Sequence, residues 1–508
     1  MNRALIVLPA VLAAAPLAAE RINQEGRILG PAPVVTAPIL FNTAEADAVV
    51  GAMQIMPLDS AWNEDVSARP LLANSDAMIA QIRADLSASR RTLRAFFEMN
   101  YVLVPDAQPL VPVAFFDYPD ESDPSPYPLP ANLPVETWPR ETGTLTLAQW
   151  QQDVNQDGGD RHAIAVMPGT GGLWELWQAR LVAGAWQASN GARFDLRSNA
   201  LRPAGWTSGD AAGLPMFPAL VRYDECQRGM VEHAMRIVVA RSRREYLYPA
   251  NHFASSTPAS QVNVPAMGQR VRLKAGFAIP ADWTVYERAV CLGLKKYGAL
   301  VADNGGFFSI SVTPDDRYPD GAFDHLATID INNFEVVQGT GPAEGPRAPG
   351  APTAAAGADF EIPFPAGAAL AGTAGGSGIT VAWTKYAGPG AVNFGDPAQA
   401  ATSVSFAMPG TYTLMLAVGD NVHAVARDAV VVHVALPVVT MRVGDDATVM
   451  FHSAAGQTYR IERADAPGGP WTLLADNLAG TGAGMSVSDP GVFQTHPSAA
   501  YRVRYTPE

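Results

Sequence analysis

Residues 158–253 contain the pattern that most constrains the fold: charged residues and histidines alternate with apolar residues in short segments. Loops rich in Gly, Pro, Asn and Asp join these segments, which suits strands and turns better than long helices. A period of two residues is typical of strands with one polar face. Because half-polar strands can line a cleft, we predict that this stretch is a β region carrying the candidate site.

The composition of the whole chain also favours short strands and turns. Of its 508 residues only 17% are charged, whereas 45 are Gly and 42 are Pro. A chain of this length is too long for one hydrophobic core, and at roughly 100 to 200 residues per domain it predicts about three domains. We therefore predict a mainly β, multidomain protein.

The formal net charge of −14 comes from 49 acidic and 35 basic residues, and no run of Lys or Arg interrupts it. A nucleic-acid partner and binding to an anionic membrane surface are therefore not expected. After the N-terminus, no stretch approaches the roughly 18 consecutive apolar residues that span a bilayer. We predict a protein that is not membrane-embedded, and we expect a monomer.

Residues 1–19 have the layout of a cleavable secretory signal. Arg3 precedes an apolar run over 4–17, and two alanines end it. We predict a secreted protein, extracellular or periplasmic, in which residues 20–55 form a leader segment before the first domain. The alternative is that residues 1–19 form a buried strand or helix.

The two cysteines, Cys226 and Cys291, leave two alternatives open. In an oxidising compartment an even pair can form one disulfide. Alternatively, both are small buried hydrophobic residues, as free cysteines commonly are. Two cysteines alone do not make a thiolate zinc site.

Residues 284–298 contain the clearest helix of the sequence. Thr284 and Glu287 have the spacing of a capping box, and Gly298 supplies a left-handed stop. A second helix is predicted from Asn74 through about Ser87, with an apolar face that packs in the core.

Glu175 is the carboxylate that the sequence favours as a general acid. Its neighbours on the same strand face are Leu173 and Trp177, and an apolar setting raises the pKa of a carboxyl group. Glycoside hydrolysis needs a second carboxylate, for which Asp195 and Asp224 are the candidates. The alternative is a Glu that faces solvent or forms a salt bridge.

Three histidines, His162, His233 and His252, fall in the same hundred residues. Three His ligands can hold zinc with an open fourth position, but no local spacing such as HExxH supports a metal site. Separate, hydrogen-bonded histidines are the favoured interpretation, and we expect neither a metal nor a cofactor. A GxSxG elbow, a P-loop and a dinucleotide-binding fingerprint are also absent from the sequence.

Further polar and aromatic residues are candidates for substrate binding. Asp160 shares a predicted strand face with His162, and tryptophan rings stack on the C–H faces of sugars as readily as they fill cores. Asp303 and Asn304 end a predicted strand in a turn, where sites often form. The full set of substrate-binding candidates is Asp160, Trp177, Trp206, Asp224, Arg236, His252, Asp303 and Asn304.

The ordered series GDRH, LWELW, FDLRSNALRPAGWTSGDAAGLP, LVRYDE, HAMRIVV, YPANHFASS and LKKYGALVADNG resembles a family of large exported bacterial proteins without an established activity. The resemblance covers about residues 56–337, the candidate functional domain. Near residues 92–96, TLRAF, members of this family tend to carry a His and an Asp, which this chain lacks. If those groups belong to a site, the resemblance implies that the site of this protein is altered.

Residues 338–358 form a Pro/Gly/Ala linker to two smaller modules. Residues 359–436 resemble an Ig-like module of the polycystic-kidney-disease (PKD) type, with Trp383 and Tyr412 as its most telling residues. Residues 437–508 resemble a fibronectin type III sandwich. The predicted fold class is mainly β: a β-sandwich-like N-terminal domain with a few helices, followed by two small Ig-like or fibronectin-like β-sandwiches.

Sandwich modules behind a larger domain are a common layout of exported polymer-degrading enzymes, which is an analogy at the level of architecture. We therefore predict a carbohydrate-active protein, a glycoside hydrolase or lyase, whose partner is a polysaccharide or a cell-surface glycan. Glu175 would be the acid and Asp195 the base or nucleophile, with His162, His233 and Arg236 orienting the substrate. The catalytic candidates are therefore Glu175, Asp195, His162 and His233. The rival prediction is a non-catalytic surface or matrix adhesin that binds a glycan or a protein.

Overall fold

The computed structural model describes residues 20–506, and it divides into two units. The N-terminal unit comprises residues 21–349 with 422–424, and the C-terminal unit comprises the remaining described residues. The predicted signal segment 1–19 lies outside the described residues. Within residues 20–506, no helix is long and apolar enough to cross a membrane.

The N-terminal unit is built mainly from short strands. The strands are β1 (Ile39–Leu40), β2 (Leu93–Phe97), β3 (Val102–Leu103), β4 (Val113–Phe115), β5 (Ala163–Met167), β6 (Gly172–Trp177), β7 (Arg180–Val182), β8 (Ala185–Ala188), β9 (Asn190–Asp195), β10 (Met235–Val239), β11 (Arg270–Leu273), β12 (Ala299–Asn304), β13 (Phe308–Val312) and β14 (Phe334–Val336). The α-helices are α1 (Ala44–Gly51), α2 (Ser75–Ala84), α3 (Leu147–Gln151), α4 (Tyr223–Arg228) and α5 (Val285–Lys296).

The first large sheet has the strand order β1-β3-β5-β6-β9, with β3 parallel to β5 and the other neighbours antiparallel. All residues of β5 are buried, which agrees with its continuous apolar sequence AIAVM. Ile164 and Val166 pack in the main core, whereas Ala163 and Ala165 pack in a second core beside the small sheet β4-β8-β7. This sheet is therefore covered on both faces.

The second large sheet has the order β14-β11-β12-β10-β13-β2, and it mixes parallel and antiparallel pairs. Its strands β10 and β13 alternate strictly between the two faces. Ile237 and Ile310 belong to the main core, whereas Arg236, Ser309 and Ser311 lie on the opposite face. The polar face of this sheet carries the site described below.

The helix predicted over residues 284–298 is confirmed as α5. The Thr284 hydroxyl accepts from the Glu287 backbone N–H, and the Glu287 side chain accepts from the Thr284 N–H, so both capping-box bonds form. Gly298 follows in the left-handed region with φ 66°. The other predicted helix, α2, ends at Ala84 rather than near Ser87, although its apolar face is buried as expected.

The C-terminal unit contains two β modules. Its strands are β15 (Thr353–Ala355), β16 (Phe360–Pro363), β17 (Ala368–Ala371), β18 (Thr373–Gly375), β19 (Thr380–Ala387), β20 (Val392–Phe394), β21 (Ala401–Phe406), β22 (Gly410–Gly419), β23 (Ala426–Ala435), β24 (Val438–Val443), β25 (Asp446–His452), β26 (Thr458–Ala464), β27 (Thr472–Ala479), β28 (Gly484–Asp489) and β29 (Ala500–Thr506), with the short helix α6 (Val492–Thr495) before β29.

Each of these modules has two main sheets around its own core. In the first, the sheets β16-β23-β22-β19 and β17-β21-β20 enclose Trp383 and Tyr412, and both residues are buried. In the second, the sheets β24-β25-β28 and β27-β26-β29 enclose Phe451 and Tyr459. The chain is thus mainly β and multidomain, with Ig-like sandwiches at its C-terminal end.

Two smaller predictions concern the linker and the cysteines. The boundary between the units falls after Pro349, inside the predicted linker 338–358. The first half of that segment belongs to the N-terminal unit, where Arg347 makes a buried salt bridge of 3.1 Å to Glu64. Cys226 and Cys291 are both free and buried, so the structure contains the second of the two alternatives left open by the sequence.

Candidate functional site

An open cavity of about 180 Å³ lies on the polar face of the second sheet. Its wall combines strand residues with loop residues, most of which lie directly before or after a strand. The polar and aromatic residues that line it are Phe96, Glu98, Glu136, Asp160, His162, Arg236, Asp303, Asn304, Phe307 and Ser309. The sequence predicts five of these as site residues: Asp160, His162, Arg236, Asp303 and Asn304.

The strand register explains why these side chains meet. Phe96 on β2 lies opposite Ser311 on β13, and Val238 on β10 lies opposite both Ser309 and Asp303. Residues paired across a sheet point to the same face, and every second residue of each strand does so as well. The alternation therefore gathers side chains from four strands on one surface.

Arg236 is the centre of this surface, and its side chain is 3% exposed. Its Nε donates to Asp210 Oδ2 at 3.0 Å, and its Nη1 donates to the Ser311 hydroxyl at 2.8 Å. Asp303 Oδ2 lies 3.5 Å from Nη2, and Glu98 Oε2 lies 3.8 Å from Nη1. The buried guanidinium of Arg236 thus contacts three carboxyl groups, and its shortest contact is with Asp210.

Two of the four carboxyl groups that line the cavity, Glu98 and Asp303, are weaker acids than usual. Burial raises the pKa of Glu98 to about 7, against the lowering effects of Arg236 and the Ser311 hydroxyl. Burial also raises the pKa of Asp303 to about 6, where Arg236 lowers it and Asp210 raises it further. At near-neutral pH, Glu98 is therefore partly protonated while Asp303 is mostly ionised.

The separation of these two groups is bounded by Arg236. Glu98 Oε2 and Asp303 Oδ2 lie 3.8 and 3.5 Å from different nitrogens of one guanidinium. The two oxygens are consequently at most about 10 Å apart, a span that includes the separations of roughly 5 to 9.5 Å between glycosidase carboxylates.

His162 and Glu136 also line the cavity. His162 donates from its backbone N–H and from Nδ1 to Glu136 Oε2, at 3.0 and 2.9 Å, and its Nε2 lies 2.8 Å from the Gly209 carbonyl oxygen. Burial lowers the pKa of His162, but Glu136 outweighs this effect and raises it to about 9. Both ring nitrogens face acceptors, so His162 is an imidazolium rather than a general base.

Two aromatic groups flank the cavity. The rings of Phe96 and Phe307 meet edge to face at 5.1 Å, and the Arg90 guanidinium covers Phe307 at 4.3 Å. On the other side, Trp177 donates from Nε1 to Asp160 Oδ1 at 3.2 Å. Phe96 and Phe307 therefore place two aromatic rings in the cavity wall, whereas Trp177, a predicted substrate-binding residue, contacts Asp160 but does not line the cavity.

The structure does not bring Glu175 and Asp195 together, and neither lines this cavity. Glu175 is fully buried because β6 directs it, with Leu173, into the main core, where it accepts backbone N–H bonds from Met216 and Phe217 at 2.9 to 3.0 Å. Burial raises its pKa to about 7, as its apolar neighbours predict. Asp195 is exposed on the opposite face at the end of β9. The acid–base pair predicted from these two residues is therefore wrong in its geometry.

His233 and Asp224 lie in a different place, beside a cavity of about 30 Å³, which holds about one water. His233 Nε2 lies 3.1 Å from Glu225 Oε1, and Asp224 accepts from Arg228 at 2.6 Å. Arg222 and His233 outweigh burial and lower the pKa of Glu225 to about 2. This ion-pair cluster does not contribute to the larger cavity.

His252 and Trp206 also lie away from the larger cavity. His252 Nδ1 lies 2.7 Å from the Ala211 carbonyl oxygen and its ring stacks on Phe253, whereas Trp206 packs against the Arg202 guanidinium at 5.4 Å. His162, His233 and His252 therefore do not converge as a zinc site would require. Among residues 20–506, no group of His, Cys, Asp or Glu has the arrangement of a metal site.

Sequence reasoning missed Glu98, Glu136, Asp210 and the two phenylalanines of the cavity. One signal was available for Glu98, because it directly follows the apolar strand LRAFF as a charged strand end. Phe96 falls in the short stretch that departs from the family the sequence resembles. Glu136 stands in a Pro-rich loop and carries no local signal.

Comparison with known proteins adds little to this description. No family model matches the chain, and no curated protein matches it. The solved structures with local similarity include a crystal structure of DIP-gamma IG1+IG2, which is 14% identical with a TM-score of 0.14 and covers 30% of this chain and 94% of its own. They also include the secreted serine protease VesC from Vibrio cholerae, 10% identical with a TM-score of 0.14, covering 35% of this chain and 56% of its own. These likenesses are too weak to carry an argument.

Proposed function

We propose that this is an exported carbohydrate-active protein whose N-terminal unit hydrolyses a glycosidic bond in the cavity around Arg236. One observation carries the proposal: two carboxyl groups with raised pKa values, Glu98 and Asp303, line one open cavity together with the rings of Phe96 and Phe307. Paired carboxyl groups with different pKa values are the requirement of glycoside hydrolysis.

In this proposal Glu98 is the general acid. Ser311 and Arg236 both contact its Oε2, so we assign the acidic proton to Oε1, which transfers it to the glycosidic oxygen as that bond breaks. Asp303 is the base: its carboxylate takes a proton from the water that attacks the anomeric carbon. Arg236 stays protonated and holds the two carboxyl groups in position.

The charges of the cavity favour a hydrolase over a lyase. A lyase for acidic polysaccharides must neutralise the uronate carboxylate of its substrate, which takes cations that have no other partner. Both cations of this cavity already contact carboxylates, His162 with Glu136 and Arg236 with Asp210. An added uronate would meet excess negative charge.

The remaining parts of the proposal rest on the sequence. Residues 1–19 support export, and the C-terminal PKD-like and fibronectin-like modules would space or dock the N-terminal unit at a polysaccharide or cell-surface glycan. The resemblance of residues 56–337 to large exported bacterial proteins agrees with the same destination. We propose a monomer that needs no cofactor.

The test is turnover of a panel of neutral oligosaccharides and polysaccharides by the purified protein and three variants. Glu98→Gln and Asp303→Asn remove the acid and the base with little change of shape, so each should lower kcat by roughly 10²- to 10⁴-fold. Asp195→Asn is the matched control, because Asp195 is an exposed carboxylate outside the cavity. Its kcat should equal that of the unaltered protein.

Two results would contradict the proposal in different ways. Turnover that survives both Glu98→Gln and Asp303→Asn would place the chemistry elsewhere. Glycan binding at the cavity without any turnover would instead support the alternative, a non-catalytic adhesin, because a binding module needs the aromatic walls but no acid and base.

A further inference from the structure

We infer that Ser309 determines which sugar the cavity accepts, because its hydroxyl forms a hydrogen bond with one hydroxyl group of the bound ring. This inference rests on the proposed function, since it adds a specificity contact to the same site. It is carried by a side chain that the fold buries almost completely, leaves without a partner and opens to the cavity.

Ser309 belongs to β13 and faces the cavity. Its neighbours along the strand, Phe308 and Ile310, pack in the main core, so the side chain of Ser309 points to the opposite, polar face of the sheet. Ser309 is 3% exposed, and it lines the cavity. A ligand therefore reaches this side chain from within the cavity.

The Ser309 hydroxyl has no hydrogen-bond partner among residues 20–506. Its neighbours across the sheet are the apolar Val238 on β10 and Arg94 on β2, and neither side chain bonds to it. The hydroxyl of Ser311, on the same face of β13, is by contrast bonded to two other side chains. Of these two hydroxyls, that of Ser309 is the one left for a ligand.

Ser242 shows why the unpaired state of Ser309 points to a ligand. Ser242 is also buried in the N-terminal unit, and its hydroxyl also lacks a partner in the described part of the chain. That hydroxyl is closed to solvent and lies outside the cavity wall, whereas the Ser309 hydroxyl is not closed. A buried hydroxyl without a partner is unfavourable, and a ligand in the cavity can supply the missing partner of Ser309.

Ser309 lies away from the proposed base. Val238 stands between Ser309 and Asp303, because it is paired with both across the sheet. Two strand spacings separate the backbones of Ser309 and Asp303, which is about 10 Å. Ser309 therefore contacts the substrate away from the bond that breaks, and such a contact contributes to binding rather than to the chemical step.

The chemistry of the contact defines the ligand group. A serine hydroxyl is neutral and both donates and accepts, so another hydroxyl is a suitable partner. A site that is built to bind a hydroxyl rejects the analogue that lacks it, because the polar group of the protein is then left unpaired. We therefore expect the cavity to accept a sugar ring with a free hydroxyl opposite Ser309 and to discriminate against the deoxy analogue.

The experiment is a double cycle between the Ser309 hydroxyl and the hydroxyls of the sugar, measured by isothermal titration of the whole purified protein. The probes are the methyl glycosides of glucose, galactose, mannose and xylose, followed by the monodeoxy analogues of the one that binds best. Ser309→Ala should weaken binding of that glycoside by about 5- to 10-fold, the effect of one neutral hydrogen bond. One deoxy analogue should show the same loss in the unaltered protein, and Ser309→Ala should not weaken its binding further.

Ser242→Ala is the matched control, because it removes an unpaired buried hydroxyl outside the cavity wall. It should leave the affinity for every probe unchanged. The deoxy series with the unaltered protein tests the inference without any substitution. If every deoxy analogue binds as tightly as its parent, no ring hydroxyl forms the expected bond and the inference is wrong.

The outcomes separate this inference from the proposed function. If Ser309→Ala binds the best glycoside as tightly as the unaltered protein, or if its loss adds in full to that of every deoxy analogue, the inference is wrong while a sugar site remains. An equal loss in Ser242→Ala contradicts the inference in the same way. If none of the methyl glycosides binds, the inference and the proposed function are both contradicted.

Discussion

His162 and Glu136 are joined by three hydrogen bonds. The backbone N–H and Nδ1 of His162 donate to Glu136 Oε2, and the Glu136 backbone N–H donates to the His162 carbonyl oxygen at 2.8 Å. His162 Nε2 faces the Gly209 carbonyl oxygen as well. Neither ring nitrogen is left to accept a proton from a substrate. The histidine that the sequence places among the catalytic residues is therefore a cationic support of the cavity wall.

The first prediction concerns the pH dependence of stability. The pKa of His162 is about 9 in the folded protein, above the usual value near 6.5. The stabilisation by the imidazolium should be complete below about pH 6.5, and on the order of 3 kcal/mol should be lost as the pH rises through 9. Hydrogen exchange of the buried amides of β5, corrected for intrinsic rates, measures the free energy of opening at pH 6 and pH 9.5.

Replacement of the histidine provides the control for this prediction. In His162→Gln the free energy of opening should be lower at pH 6 than in the unaltered protein, and it should not decline between pH 6.5 and 9. His433 is an exposed histidine of β23 that contacts Thr411, so His433→Gln should leave both the opening free energy and its pH dependence unchanged. A pH-independent opening free energy in the unaltered protein would show that His162 is neutral.

The second prediction concerns the pH profile of turnover. The acid Glu98 must be protonated and the base Asp303 ionised, so kcat/KM should fall as the pH rises through about 7 and as it falls through about 6. Ser311 donates to Glu98 Oε2 at 2.5 Å, which favours the ionised form. Ser311→Ala should therefore move the alkaline limb upwards by roughly 0.5 to 1 pH unit.

Ser309 is the matched control, because it lies two residues away on the same face of β13 and also lines the cavity. Ser309→Ala should leave both limbs of the profile in place. An alkaline limb that moves downwards in Ser311→Ala, or one that moves equally in both variants, would exclude Glu98 as its source.

Much of the architecture follows from local patterns in the sequence. The capping box of α5 depends on Thr284 and Glu287, three residues apart, so sequence spacing alone predicts it. The burial of Trp383 and Tyr412 likewise follows from their strand context. Such features depend on neighbours within one turn or one strand, which a single sequence displays directly.

The site was less predictable because strand pairing determines it. Glu175 and Asp303 both have the pattern of a polar residue on an apolar strand, yet one faces the main core and the other faces the cavity. The choice of face depends on which distant strands pair, as β10 does with β12 and β13. Glu136 reaches the cavity through such long-range contacts and has no local sequence signal, whereas the position of Glu98 directly after a strand is a local signal.

The third prediction concerns the aromatic wall. Phe307 lines the cavity, its ring meets that of Phe96 edge to face at 5.1 Å, and the Arg90 guanidinium lies over it at 4.3 Å from the ring centre. Phe307→Ala should weaken binding of the preferred sugar by about 3- to 10-fold, the effect of one lost aromatic contact. Phe116→Ala is the control, because Phe116 also lies under an arginine, Arg180, but outside the cavity. Equal losses in both variants would contradict a contact between Phe307 and the sugar.

The fourth prediction separates a structural from a catalytic role for Glu175. Its carboxylate accepts three hydrogen bonds from the backbone N–H groups of Met216 and Phe217. In Glu175→Gln the side-chain NH₂ group would face one of these N–H donors in a buried position, where two donors cannot form a hydrogen bond with each other. Glu175→Gln should lower the free energy of unfolding by about 1 to 3 kcal/mol, whereas Asp195→Asn at an exposed position should change it by less than about 0.5 kcal/mol.

Urea unfolding of the whole protein, followed through the tryptophans of the N-terminal unit, measures this difference, and the pH profile of kcat/KM is the second readout. A structural role leaves both limbs of that profile in place, because Glu175 does not line the cavity of Glu98 and Asp303. If Glu175 were the general acid, Glu175→Gln would remove the alkaline limb and most of kcat at full stability. The two roles thus make opposite predictions for one substitution.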